Sequence, residues 1–308
     1  MSPLSLRPFT WRPIAQFAAA VIALAPATLM AADFDEAERL ARLPAEQRAL
    51  AERFIAFNDE MSAKYFARAE ALNEGLKEPT EMKSENETSV HNVKVVRGDT
   101  VEKMGRLLSQ GKQASPGRGE GKLVFSRFYS IDVHAKTPLV GMLHAAIVLQ
   151  FFEDGKSGVG GWLDVMPGTR VEEDLAALKK VIDDGFARYG KDPAPWRELV
   201  CKGTEETIGD FRRKPSCSGA SFYGPPVFPG DTEKSIAIVM ELFDAFTGAY
   251  LDSVEKRKDQ AFTPADIAAQ DAMRKQWLVD QLFSDPFSSK IVPFEVWSLA
   301  NVPPVIKF

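Results

Sequence analysis

The sequence predicts an α+β protein. Three observations carry that assignment: helical periodicity over residues 35–77, a set of strand-like segments between 91 and 152, and further strongly helical stretches at 169–189 and 235–258. Runs of strands beside runs of helices, without a regular strand–helix repeat, favour α+β over a doubly wound parallel sheet. The chain has 308 residues, is 45% hydrophobic and carries a formal charge of −5. That composition is ordinary for a globular protein, and the acidic balance gives no reason to expect a nucleic-acid partner.

In chain order, residues 1–32 read as a secretory signal. Arg7 and Arg12 are the only charges before Asp33, an apolar stretch runs from Ile14, and Ala31-Ala32 supply the small residues of a cleavage site. The stretch is nearly long enough to span a bilayer, but Pro26 and the alanine end favour cleavage over a retained anchor. Export, to the periplasm in a bacterium, is the expectation, with 33–308 as a single domain and no membrane contact after cleavage. Phe54, Phe57, Tyr65, Phe66 and Leu72 recur at helical spacing. Residues 78–90 read as a polar loop. Strands are expected at 91–97 and 123–133, with a flexible loop at 115–119 between them.

Residues 139–152 form the longest apolar stretch after the signal and suit a buried strand. His144, Ala146, Val148 and Gln150 would then share a face. Residues 155–161 read as a glycine-rich turn. Thr169 and Glu172 have capping-box spacing for a helix to about 189. Residues 203–231 read as loops with a short strand near 220–223. An amphipathic helix follows over 235–258, with Ile236, Val239, Leu242, Phe243, Phe246 and Tyr250 inward. Thr263-Pro264 opens a last helix, and residues 295–308 read as a strand broken by Pro303-Pro304.

Candidate chemistry is sparse. The chain has three histidines, His91, His134 and His144. The latter two sit ten residues apart on apolar, strand-like segments. Imidazole is the side chain best suited to move a proton near neutral pH, and a hydrogen-bonded core histidine is the alternative. No HExxH, GxGxxG, Walker or GxSxG motif occurs, and no metal site is expected. Asp164 follows the glycine run in an apolar setting, where a carboxylate needs partners. Cys201 and Cys217 are the only cysteines. In an oxidising compartment an even count suggests a disulfide, closing a loop of ~15 residues. Two free thiols are the alternative. Neither cysteine belongs to a CxxC or CxxCH motif.

From about Val93 onward the chain resembles the oxygen-dependent coproporphyrinogen III oxidase family. The matching features run in one order: His134, Pro138 and His144 leading to Phe151-Phe152; Gly160-Gly161-Trp162-Leu163-Asp164 and Pro167; Tyr250-Leu251 leading to the charged 254–258; and Ser298-Leu299-Ala300-Asn301 with Pro303-Pro304. The resemblance implies a broad, flat antiparallel sheet flanked by helices on both faces, a homodimer and a tetrapyrrole cleft. It implies oxidative decarboxylation of propionates with dioxygen and without an organic cofactor. By the same resemblance His144 would donate the proton, and His134 would line the site with Gly160 and Gly161. Asp164 would receive pyrrole N–H groups, and Arg212 would meet a propionate. After the proton donor the family motif is close to His-Ala-Asn-Val-Arg. Here it is His144-Ala145-Ala146-Ile147-Val148. That difference gives the second reading, an exported tetrapyrrole-binding protein without catalysis.

Overall fold

Seven strands among the described residues join in one antiparallel sheet whose spatial order is their chain order. The computed structural model describes residues 35–75, 77, 79–114, 122–202, 214–283 and 292–307. Segment 1–32, loop 115–119 and Arg212 lie outside them. The strands are β1 (Thr80–Glu85), β2 (Ser89–Val96), β3 (Val101–Gly111), β4 (Leu123–Ala135), β5 (Met142–Phe152), β6 (Ser157–Met166) and β7 (Ala220–Ser221). The helices are α1 (Glu36–Ala41), α2 (Ala45–Leu72), α3 (Glu172–Arg188), α4 (Ala194–Lys202), α5 (Thr232–Arg257), α6 (Pro264–Phe283) and α7 (Phe294–Asn301). The α+β class and the large antiparallel sheet are as expected.

Period-two alternation sorts each strand between two faces. Tyr129, Ile131 and Val133 of β4, with Leu143, Ala145, Ile147 and Leu149 of β5, join one apolar core with residues of α2, α3 and α5. On the opposite face Val93, Val95 and Leu107 meet Val296 and Ala300 of α7, while Met142 and Met166 meet Met273 and Trp277 of α6. Helices therefore cover both faces. Gly105 permits the close seat of α7, because a Cβ there would collide with the Ala300 carbonyl. Among the described residues no helix is long and apolar enough to cross a membrane.

The strongest periodicities become the best-defined helices. Asp231 caps α5 by accepting from the Lys234 N–H at 2.9 Å, and the whole predicted stripe from Ile236 to Tyr250 is buried. Each such side chain is worth ~1.5–3 kcal/mol of burial. The Tyr250 hydroxyl donates to the Gly141 carbonyl at 2.8 Å and fixes α5 against the β4–β5 connection. Thr263 and Asp266 cap α6 reciprocally: the Thr263 N–H donates to Asp266 Oδ2 at 2.8 Å, and the Asp266 N–H to Thr263 Oγ1 at 3.3 Å.

Several boundaries differ from the sequence reading. The polar stretch 78–90 holds β1 and a turn in which Asn86 Oδ1 accepts from the N–H groups of Thr88 and Ser89. Residues 101–111, between the two expected strands, form β3. The glycine run belongs to β6 from Ser157 onward, and the turn is confined to 153–156, where Gly155 has φ +82°. Thr169 makes no capping box: its hydroxyl donates to Asp266 Oδ1 at 2.7 Å, and Val171 occupies the cap position without a side-chain bond. Residues 294–301 are helix, not strand, because Val296, Trp297 and Ala300 have helical spacing and pack onto β2 and β3.

Candidate functional site

Register brings the predicted residues to one face of the sheet. His144 on β5 pairs with Asp132 of β4 on one side and Asp164 of β6 on the other. Opposed residues of neighbouring strands share a face, so the three side chains form a line across the middle of the sheet. One pleat along, His134 on β4 pairs with Lys103 of β3.

At the centre of that line is an aspartate–histidine pair. His144 Nδ1 and Asp132 Oδ1 are 2.6 Å apart. Asp132 is fully buried and the His144 side chain is 13% exposed. An ionised carboxylate accepts, so Nδ1 carries the proton and donates, which leaves Nε2 as the basic nitrogen. The imidazole also rests against Trp277 of α6, with ring centroids 5.4 Å apart. Two elements thus set its orientation. Sequence reasoning missed Asp132. The available signal was its position two residues before His134 on the same strand, which gives both the same face.

The β4 edge of this site is under-satisfied. Ser130 Oγ, Asp132 Oδ2 and His134 Nδ1 are buried and have no hydrogen-bond partner among the described residues. They lie at alternate positions of one strand, hence on one face, spanning ~13 Å. Unpaired buried polar atoms are uncommon in native proteins, so three in a row on one strand call for a specific explanation. Burial lowers His134 well below its ordinary value, reinforced by Lys103 and Arg274 nearby. It is neutral, and its Nε2–H donates to the Asn301 carbonyl at 3.3 Å.

Asp164 is held by its own chain. It accepts from the Ser216 hydroxyl at 2.7 Å, the Cys217 N–H at 3.2 Å and the Gly219 N–H at 3.0 Å. Burial pushes its carboxyl up to about 6 in spite of these donors. No protein-family model matches the chain. The remaining predicted residues stand as follows. Gly160 and Gly161 lie in β6, where a Cβ on Gly160 would press on the Tyr223 ring at 2.8 Å and one on Gly161 would meet the Ala146 carbonyl at 2.6 Å. They are glycines for close packing. Arg212 is outside the described residues. His91 is on the same face at the far side of the sheet, bonded to Ser89 Oγ at 2.8 Å and Ser109 Oγ at 2.7 Å, and burial lowers it to about 4.

Neither Arg127 nor Lys136 stands in for the arginine of the family motif. Arg127 points to the α2 side, paired with Glu36 at 2.7 Å and Asn58 at 3.0 Å. Lys136 is exposed, 3.7 Å from Glu102. Lys103 is buried under α7, where its ammonium donates to the Val302 and Ser298 carbonyls. A pocket of about 260 Å³ opens between the end of β6 and α6, lined by Met166, Pro167, Lys214 and Met273 among others. It adjoins the Met273–Trp277 face of α6 and includes none of the predicted site residues. Among the described residues no group of three His, Cys, Asp or Glu side chains has metal-binding geometry. The arrangement is equipped for proton transfer: a basic Nε2 with a buried carboxylate behind it.

Proposed function

We propose that the chain is an exported, divergent coproporphyrinogen oxidase-like protein that oxidatively decarboxylates tetrapyrrole propionates with dioxygen. The observation that carries this reading is the Asp132–His144 pair beside a row of buried, unpartnered polar atoms. His144 Nε2 moves the proton, and Asp132 fixes the ring and stabilises the imidazolium, the division of labour known from other aspartate–histidine pairs. Ser130 Oγ and His134 Nδ1 offer hydrogen bonds to a bound polar group. Asp164 supports the site wall through the 216–219 turn. Two of its internal donors bond Oδ1 and one bonds Oδ2, so Oδ2 is the oxygen with room for a further N–H. The large sheet with helices on both faces agrees with the fold that the resemblance implies, and a homodimer belongs to the same reading.

A second reading is favoured by one feature. Ala146 and Val148 stand where the resemblance calls for an amide and an arginine, which leaves a buried propionate without its cation. A tetrapyrrole-binding protein without turnover would need neither.

The deciding experiment is incubation of the protein with coproporphyrinogen III in air, following the decarboxylated product. Turnover that falls ~10²-fold in His144→Ala supports the oxidase. Asp132→Asn, which keeps shape and removes charge, is expected to lower it as well. Absence of turnover together with saturable binding of the porphyrin, read by absorbance, selects the binding protein. Absence of both rejects the tetrapyrrole reading altogether.

A further inference from the structure

The hollow of about 260 Å³ between the end of β6 and α6 is built from two unlike parts. Its α6 wall carries Ala269, Ala272 and Met273, spaced at i, i+3 and i+4 and so on one helical face. The alanines leave the space that longer side chains would fill. The facing wall is Met166 and Pro167. Both walls are fixed. A Cβ on Gly168 would stand 2.9 Å from the Ala269 carbonyl, so chain and helix meet backbone to backbone at one end. The Thr169 hydroxyl ties the same stretch to Asp266 Oδ1 at 2.7 Å. Met166 and Met273 pack with Met142 and Trp277 behind them. Among the described residues that line the hollow, Lys214 alone is charged, and it is exposed at the rim. The turn that follows sets its place: the Ser216 N–H donates to the Val165 carbonyl at 2.8 Å, and the Ser216 hydroxyl to Asp164 at 2.7 Å. Cys217 of that turn and Cys201 are free thiols, so hydrogen bonds and not a disulfide hold it.

We propose that this hollow binds a small aromatic carboxylate, its ring between Met166 and Met273 and its carboxylate at Lys214. This inference does not depend on the tetrapyrrole reading. Size sets the class first. An apolar cavity of about 150 Å³ accommodates benzene, so about 260 Å³ takes one ring and a short arm. The walls favour the ring: thioether sulfur is polarizable, makes favourable contacts with aromatic rings, and sits on an unbranched side chain that adapts to its neighbour's shape. The rim favours the head group. A single ammonium, with no acid among the described lining residues, attracts an anion and repels a cation. Because Lys214 is exposed, the carboxylate pairs with it while keeping part of its hydration, and the large cost of a fully buried ion pair does not arise. The ring's seat on Met273 is one helical turn from Trp277, which rests against His144.

The test uses the full chain with isotopically labelled methionine methyl groups, titrated at neutral pH with phenylacetate and, separately, with the uncharged phenylacetamide. The Met166 and Met273 methyl signals, assigned through Met166→Leu and Met273→Leu, are expected to shift together and to saturate with the acid. The amide is expected to bind ~5-fold more weakly, the scale of an ion pair at an exposed rim. Lys214→Met should bring the acid down to the level of the amide and leave the amide itself unchanged. Ala272 is exposed, so the fold tolerates Ala272→Phe, which fills the hollow and should abolish the response to both probes. Absence of saturable shifts at Met166 and Met273, equal affinity for acid and amide, acid binding unaffected by Lys214→Met, or shifts that persist in Ala272→Phe would each overturn the proposal.

Discussion

Asp164 shows how one side chain can be well bonded and still unfavourably placed. Three hydrogen bonds favour its carboxylate, yet complete burial outweighs them and its pKa is about 6. Between the ordinary aspartate value and 6, the folded protein keeps a proton that the unfolded chain has released. Its contribution is therefore most favourable below about pH 4 and declines as pH rises through 6. A shift of about two pH units corresponds to ~3 kcal/mol. Urea unfolding of the wild type and of Asp164→Asn should show the wild type losing about 2 kcal/mol relative to the variant between pH 4 and pH 6. A constant difference would mean that the carboxyl titrates normally. At this scale the sequence was partly legible. His134, His144 and Asp164 were found because titratable groups in apolar strands are conspicuous. What each touches was not, since partners such as Ser216 and Asn301 arrive from distant segments. Asp132 escaped because only strand register sets it against His144.

The elements divide along the same line. β5, α5 and α6 were legible because a single buried face imposes a clean period on each. β3 was not: its face toward α7 carries Lys103 and Gly105, so the hydrophobic alternation is broken where the helix sits closest. α7 misled for the opposite reason, since a mere eight residues rich in Val, Trp and Leu carry too little periodicity to separate helix from strand. The contact between these two elements is backbone against backbone. Gly105→Ala places a methyl group on the Ala300 carbonyl, which has no flexible end to yield. The helix must shift, with an expected loss of about 1–3 kcal/mol. Hydrogen exchange should show protection lost in α7 while α2 and α5, on the opposite face, keep theirs. Unchanged exchange in α7 would mean that the helix has slack at this contact.

At the scale of the molecule, the buried titratable groups act on stability in opposite directions. His91, lowered to about 4, and His134, lowered well below its ordinary value by burial and by Lys103, Arg274 and Arg97, stay neutral where the unfolded chain takes up protons. Their effect is a loss of stability as pH falls from about 6.5 toward 4. His91 alone accounts for ~3 kcal/mol, about the size of the opposite contribution from Asp164. His134 then decides the sum, and acidification destabilises. On the alkaline side Lys103 dominates. Burial lowers it to about 7, so from there to its ordinary value the unfolded chain binds the proton that the folded protein has lost. Stability accordingly rises with pH above 7. The α7 carbonyls that accept from the ammonium work against this by favouring its charged form. Urea midpoints measured at pH 4.5, 6.5 and 9 are expected to increase in that order, with the rise above 6.5 abolished in Lys103→Met. A maximum at pH 6.5 followed by a fall at pH 9 would show that the helix end holds the lysine charged, which would make Lys103 a permanent cation on the face that carries His144.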